Sequence, residues 1–438
     1  MRKLILPLLA LLCGFQLQAQ IDPAPNDSIR RLVEGKYVIA SDNMGFENYK
    51  EAIPALNWLL KHYPDLSTAV PKMAMRAFYE QSKITTDSDH KKVLLDSLLI
   101  AYDIKAEHFG LSMADKNRLA YRYYQFFRRD PEKLPKAYAL YQELFTTPDK
   151  VSNGNLLPYL HFTREYHRHI QPVADQEITS HFYQVIEQVE ARKEMGIDAN
   201  KLDRIVKGMD NLMLRMVKES SAACVLVDEL AKEMDRDVRL RSAQRITGLS
   251  LEAQCGRTPG YEKALGILAE LAPTPAVHKI LASFAIDDQD YDKAILEYQS
   301  AIKLEADPVK KGNNLLKLAS IFSSVDRKVE ARKAALDAAS NNNLLEATAY
   351  SFVGNLYMSS FDDCKERVHQ TIDRGVFMAA YDMFEKAKDI EGMNQAREQF
   401  PTVSQRHTEG YSEGESIEVG CWILVKTKIR TRPSNRPD

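Results

Sequence analysis

The sequence predicts an all-α, right-handed solenoid of helical hairpins that ends in a small C-terminal β element. Three observations carry this expectation. Between Pro275 and Ser340 the spacing A-x11-A occurs twice. Ala282 and Ala294 are followed by Tyr298 and Ala301, and thirty-seven residues later Ala319 and Ala331 are followed by Ala335 and Ala338. Small side chains at matched offsets let two helices approach closely, and a self-similar period of this length marks stacked hairpins. Second, Gly and Pro number only 18 each in 438 residues, too few for the many turns of a sandwich or barrel. Third, the period changes near the end, where Ile417, Val419, Cys421 and Ile423 alternate with other residues, as in a strand.

Taken in order, Arg2 and Lys3 precede a short apolar run, Leu4 to Cys13, and Gln18-Ala19-Gln20 offers a small-residue exit. The run is too short to span a bilayer, so residues 1–19 read as a secretory signal peptide cleaved after Ala19. Cys13 follows Leu12 rather than a small residue, so lipidation is not expected. Removing the leader takes Arg2 and Lys3 and no acid, moving the formal charge from −2 to −4. That balance does not suggest a nucleic-acid binder. Hydrophobic content of 45% and charge of 27% are ordinary for a folded chain. No later stretch reaches transmembrane length.

Residues 20–45 form a polar, proline-containing lead, with a poorly marked helix around Ile29–Met44. Irregular hairpins follow over 46–256. Tyr49, Ala52, Leu56, Leu59 and Pro64 mark a second helix closed by proline. Helices are expected at 70–83, 90–108, 113–128, 131–146, 155–170, 175–196, 199–219, 222–235 and 237–253. The dense aromatic run Tyr121, Tyr123, Tyr124, Phe126 and Phe127 reads as packing between hairpins, with a ligand groove as the alternative.

Residues 257–400 hold better-matched repeats, in hairpins at 277–305 and 312–340 and a third beginning at Thr348. In the third, Gly354 takes the place of Ala319, while Ala380, Phe384 and Ala387 arrive late, so an insertion is expected near 359–374. Residues 391–400 read as a capping helix ended by Pro401. Residues 401–438 are expected to be a β tail, with strand character over 415–432 and a basic ridge of Lys426, Lys428, Arg430 and Arg432.

Outside the leader stand Cys224, Cys255, Cys364 and Cys421. An even count in an exported chain allows two disulfides in three connectivities. The local pairs Cys224 with Cys255 and Cys364 with Cys421 are preferred. Four buried thiols are the other reading.

The alanine and tyrosine offsets resemble those of the tetratricopeptide repeat (TPR), a family of stacked helix pairs that mostly bind other proteins. The resemblance is specific in the last third of the chain and implies a TPR-like α-solenoid. Repeat packing then falls to Ala282, Ala294, Tyr298, Ala301, Ala319, Ala331, Gly354, Ala380, Phe384 and Ala387. The export signal, the cysteine in the late insertion and the tail Val419-Gly-Cys-Trp-Ile423 together resemble exported repeat proteins of the Bacteroidota. That resemblance implies an envelope location and a binding or assembly role.

Motifs that would carry chemistry lack their context. Gly410-Tyr-Ser412-Glu-Gly414, near His407, matches G-x-S-x-G, but a loop precedes it and a strand follows, the reverse of a nucleophile elbow. His161, His167 and His169 lack the i, i+4 spacing of a helical metal pair. Asp287, Asp288, Asp290 and Asp292 suggest a calcium loop. Counted from Asp288, however, the glycine position holds Lys293 and the closing glutamate position Gln299. In TPR grooves that clamp a terminal carboxylate, asparagines occupy positions that fall here on Ser283, Ser320 and Asn355; two of the three depart. No catalytic residue, metal site or cofactor is expected. The expected function is a non-enzymatic protein-interaction scaffold in the periplasm or on the outer-membrane surface, its protein partner unnamed. The alternative is a glycan- or nutrient-binding component of an uptake system, which an exposed flat aromatic platform would favour.

Overall fold

The computed structural model describes residues 27–220 and 222–432. The leader, Cys13, the first residues of the lead and the end from 433 to 438 lie outside them. The chain divides into two compact units between Met216 and Val217.

The first unit comprises α1 (Asp27–Gly45), α2 (Tyr49–His62), α3 (Ala69–Ile84), α4 (Ser88–Phe109), α5 (Met113–Arg122), α6 (Leu134–Leu144), α7 (Asn153–His169), α8 (Asp175–Glu194) and α9 (Ala199–Glu219), the division falling in the last turn of α9. Sequence neighbours pack on one another from α1 to α4 and again from α5 to α8, so these helices bury their apolar stripes mainly against adjacent ones. Ala52, Leu56 and Leu59 are fully buried on one face of α2. What reads as the polar lead is therefore helical from Asp27 on.

Two polar devices fix this unit internally. Ser112 and Asp115 cap α5 reciprocally. Lys105 of α4 donates to the same Asp115 carboxylate at 2.7 Å, both side chains being buried. Burial opposes ionisation of Asp115, but the hydrogen bonds from Lys105 and Ser112 outweigh it and hold the carboxyl below its ordinary range. The fully buried Asn155 of α7 donates to the Asn117 carbonyl at 2.8 Å and accepts from the Tyr141 hydroxyl at 3.1 Å.

The second unit holds α10 (Ala223–Lys232), α11 (Arg239–Glu252), α12 (Pro259–Leu271), α13 (Pro275–Asp287), α14 (Tyr291–Leu304), α15 (Pro308–Ser324), α16 (Lys328–Asn341), α17 (Glu346–Met358), the one-turn α18 (Phe361–Cys364) and α19 (Gln370–Asp373), α20 (Gly375–Ala387), α21 (Ile390–Glu398) and α22 (Val403–Thr408). An antiparallel hairpin of β1 (Ser416–Val419) and β2 (Val425–Lys428) closes it, with Ile417 opposite Thr427 and Glu418 opposite Lys426.

Local chemistry explains where these helices start and stop. Thr258, Thr274 and Asp307 each cap the helix that begins with the following proline, a residue whose missing N–H is no loss in a first turn. The three hairpin turns α13–α14, α15–α16 and α20–α21 share one geometry. Gln289, Asp326 and Lys388 adopt φ of 61°, 59° and 58°. The next N–H then reaches back to the carbonyls of Ala285, Phe322 and Phe384 at 2.8, 2.8 and 2.9 Å, the Schellman closure.

Within the hairpins, Ala282, Ala294, Ala301, Ala319, Ala331 and Ala380 are fully buried, Ala387 is buried and Tyr298 half-buried. The third hairpin solves the same contact differently. Phe384 is fully buried, and a Cβ on Gly354 would stand 2.6 Å from its ring, one on Gly392 of α21 2.4 Å. The ring therefore occupies the space that two glycines leave.

The β hairpin lies on α20. Ile417, Val419, Ile423 and Ile429 join the unit's core, and a Cβ on Gly375 would stand 3.2 Å from both Ile417 and Val419. The expected basic ridge is broken: Lys426, Lys428 and Arg432 are exposed, but Arg430 folds back to pair with Asp382 at 2.7 Å. The reason is local. Past the strand's end, an acid on α20 offers Arg430 a partner, and Thr427 donates to the same carboxylate at 2.6 Å. The chain ahead of the hairpin, which reads as part of a β tail, carries the short helix α22, capped by Thr402 and Gln405.

Candidate functional site

In the second unit, the second helices α14 and α16 flank α15 and leave a cleft of about 370 Å³ above it. Its floor is apolar, made of Ile302, Leu315, Leu318 and Phe322. Leu315, Leu318 and Phe322 are themselves nearly buried, because they share the stripe of α15 that carries Ala319 into the hairpin core. The rim is basic. Arg327 lies over Phe322 at 4.6 Å and pairs with Glu330 at 2.9 Å, and the arginine's hydrogen bonds hold that carboxyl below its ordinary range. Lys303, Lys311 and Lys333 line the same cleft and have no carboxylate partner among the described residues. Asp337 is the remaining acid of the lining.

One repeat later the same geometry recurs. A cleft of about 580 Å³ lies over α17 between α16 and α20, lined among others by Leu336, Ala339, Tyr350, Tyr357, Met383 and Lys386. Thirty-five residues separate Leu315 from Tyr350 and Phe322 from Tyr357, and thirty-seven separate Gln299 from Leu336 and Ile302 from Ala339, so the linings correspond in register. Here the β hairpin supplies a further wall through Leu424 and Val425. The Trp422 ring packs on Tyr357 with centroids 5.5 Å apart, and its indole N–H donates to Ser360 Oγ at 3.2 Å. Arg332 lies over the same indole and donates to the Ile423 carbonyl.

The cysteines stand in two close pairs. Cys224 and Cys255 are at disulfide distance with Cα atoms 5.5 Å apart, and Cys364 and Cys421 likewise at 5.4 Å. The second pair joins α18, inside the inserted segment, to the turn of the β hairpin.

The remaining sequence candidates go elsewhere. Ser412 lies in a turn between α22, which carries His407, and β1; its backbone N–H donates to Glu415. That is the reverse of the strand-to-helix order of an elbow. The three histidines do not converge. His161 is desolvated, which lowers its pKa, His167 bonds the Val173 backbone, and His169 lies 3.4 Å from Glu165. No metal-ligating cluster occurs among the described residues. In the acidic run Asp290 caps α14 and Asp288 pairs with Arg257. Ser283, Ser320 and Asn355 are exposed on their first helices.

The aromatic run bends through a π-helical turn, Tyr123–Phe127, that buries Tyr123 and Phe127. Tyr121 and Tyr124 remain more open, but their rings are tilted by 42° and offer no flat platform. Sequence reading missed the basic cleft altogether. Its lysines come from three helices, and no window of the chain shows them together.

No family model matches the chain, and no curated protein matches it. Among solved structures it is similar to yeast Tom70, at 14% identity over 86% of this chain and 90% of that one, with a TM-score of 0.24. It is similar to the APC/C hetero-tetramer Cut9–Hcn1, at 13% identity over 85% of each chain, TM-score 0.25. The P58(IPK) TPR domain matches at 13% identity over 84% of this chain and 98% of that one, TM-score 0.21. At such scores the likenesses carry no argument, and the hairpin architecture stands on the helix packing itself.

Proposed function

We propose that the chain is a non-enzymatic docking scaffold of the cell envelope, exported to the periplasm or outer-membrane surface. One observation carries the docking role: the stacked hairpins of the second unit build a cleft with an apolar floor and three lysines without carboxylate partners. Solvent-accessible apolar surface ringed by charges without protein partners is what a protein partner's segment covers. Hairpins that pack only on their neighbours supply such a surface with little backbone adjustment. Two cysteine pairs at disulfide distance and the leader expected at 1–19 support an oxidising compartment. No helix among the described residues is long and apolar enough to cross a membrane. In this reading the repeat residues from Ala282 to Ala387 hold the surface in shape, and the tail braces its last hairpin.

The test is affinity purification of the tagged full chain from envelope extract after chemical cross-linking. A stoichiometric protein partner is the expected result. Recovery of oligosaccharide alone would overturn the scaffold reading in favour of nutrient binding.

A further inference from the structure

Resting on the scaffold reading, we infer that the cleft between α14 and α16 receives an acidic segment of a partner protein that lays an apolar side chain against the cleft's apolar lining. The later cleft shows what this groove accepts. There the chain's own hairpin turn, left-handed at Cys421 and Leu424, sets an indole on Tyr357 and gives the Ile423 carbonyl to Arg332. Tyr357 is the register equivalent of Phe322. In the earlier cleft no segment among the described residues takes that place; Arg327 lies over Phe322 at 4.6 Å, and the apolar lining is reached only between the helices.

The charges set the difference between the two grooves. Where the hairpin sits, its own Leu424 and Val425 complete the wall. The earlier cleft instead presents Lys303, Lys311 and Lys333 around its floor, against Asp337 and a Glu330 already satisfied by Arg327. A segment of apolar residues flanked by carboxylates satisfies both the floor and the rim. A basic or purely apolar segment leaves the lysines unpaired. This surface lies between second helices, whereas the clamp-equivalent positions Ser283 and Ser320 sit exposed on first helices, each four residues or fewer from a buried alanine or leucine of its own hairpin.

The probe is a fluorescein-labelled eight-residue peptide with tryptophan and isoleucine at its centre and acidic residues on both sides, titrated with the full chain and read by fluorescence anisotropy. Binding that weakens with added salt is expected. The variant Lys303→Glu/Lys311→Glu/Lys333→Glu should weaken it at least roughly tenfold. The milder Lys→Gln triple should weaken it less, with unchanged circular dichroism for both. Replacing the central pair by alanine should also weaken it, and a peptide with lysines for its acids should not bind. Absence of binding to the wild-type chain, or equal binding to the Glu triple, overturns the inference. So does self-association of the chain that the triple abolishes, since a second copy would then be the occupant. So does an anionic polysaccharide that binds with the same variant dependence. A cross-linked protein partner recovered equally by wild type and triple overturns the cleft assignment while leaving the scaffold intact.

Discussion

Replacing Gly354 by alanine tests the contact on which the third hairpin closes. Two effects of opposite sign meet there. Alanine in place of glycine within a helix favours folding by about 1 kcal/mol. The new Cβ, however, would lie 2.6–2.9 Å from three ring atoms of Phe384. Phe384 is fully buried, and Gly392 closes on the same edge of its ring, which leaves the ring little room to give way. Overpacking of a closed core costs about 1–3 kcal/mol, and the net expectation is a loss of about 0–2 kcal/mol. A control removes the ambiguity. Gly266, in the exposed middle of α12, has nothing within 4 Å of its would-be Cβ. Gly266→Ala should therefore gain up to about 1 kcal/mol. Because both glycines lie in the second unit, urea unfolding followed by far-ultraviolet circular dichroism reads them on the same transition. The propensity gain cancels in the comparison, and Gly354→Ala should fall below Gly266→Ala by about 1–3 kcal/mol at unchanged m-value. Phe384→Leu, which shortens the ring side chain, should recover part of the loss in the double variant. Equal gains in the two alanine variants would refute the close-packing argument.

Two further expectations follow from the same structure. Peptide mapping without reduction should return the links Cys224–Cys255 and Cys364–Cys421, which span 31 and 57 residues. By the chain-entropy relation the longer link contributes up to about 4 kcal/mol, so Cys364→Ala should lower the urea midpoint of the second unit, whereas free thiols on the non-reduced protein would contradict the pairing. In the first unit burial lowers the pKa of His181 to about 4, Glu177 opposing weakly, while its Nδ1 meets Thr163 Oγ1 at 3.1 Å and the rings of Tyr138 and Tyr159 flank it. The folded pKa lies below the unfolded value of about 6.5, so this contribution is complete above that value and is lost as pH falls towards 4, by at most about 1.4 kcal/mol per pH unit. His181→Gln should flatten the fall in urea midpoint between about pH 7 and pH 5; the same slope in both proteins would show that His181 is not its source.

Much of the fold was legible because alanine at fixed offsets leaves a plain trace. Close approach of two helices needs small side chains, and Ala282, Ala294, Ala319 and Ala331 are the residues the structure buries completely. The turns were less legible. Gln289, Asp326 and Lys388 take left-handed conformations without being glycine, and the backbone closure to Ala285, Phe322 and Phe384 holds them there. The third hairpin was readable as a departure, glycine for alanine with a phenylalanine arriving late. That the ring fits between Gly354 and Gly392 was not, because Gly392 belongs to the next helix.

The sequence by itself determined the helical hairpins, their alanine seams and the strand-like end, since each depends on neighbours a few residues or one period apart. Only the tertiary structure decided that Arg430 turns away from its strand neighbours to Asp382, that the β hairpin walls one cleft, and that three lysines gather around its counterpart. Those outcomes depend on distances between side chains far apart in the chain, which no local pattern encodes.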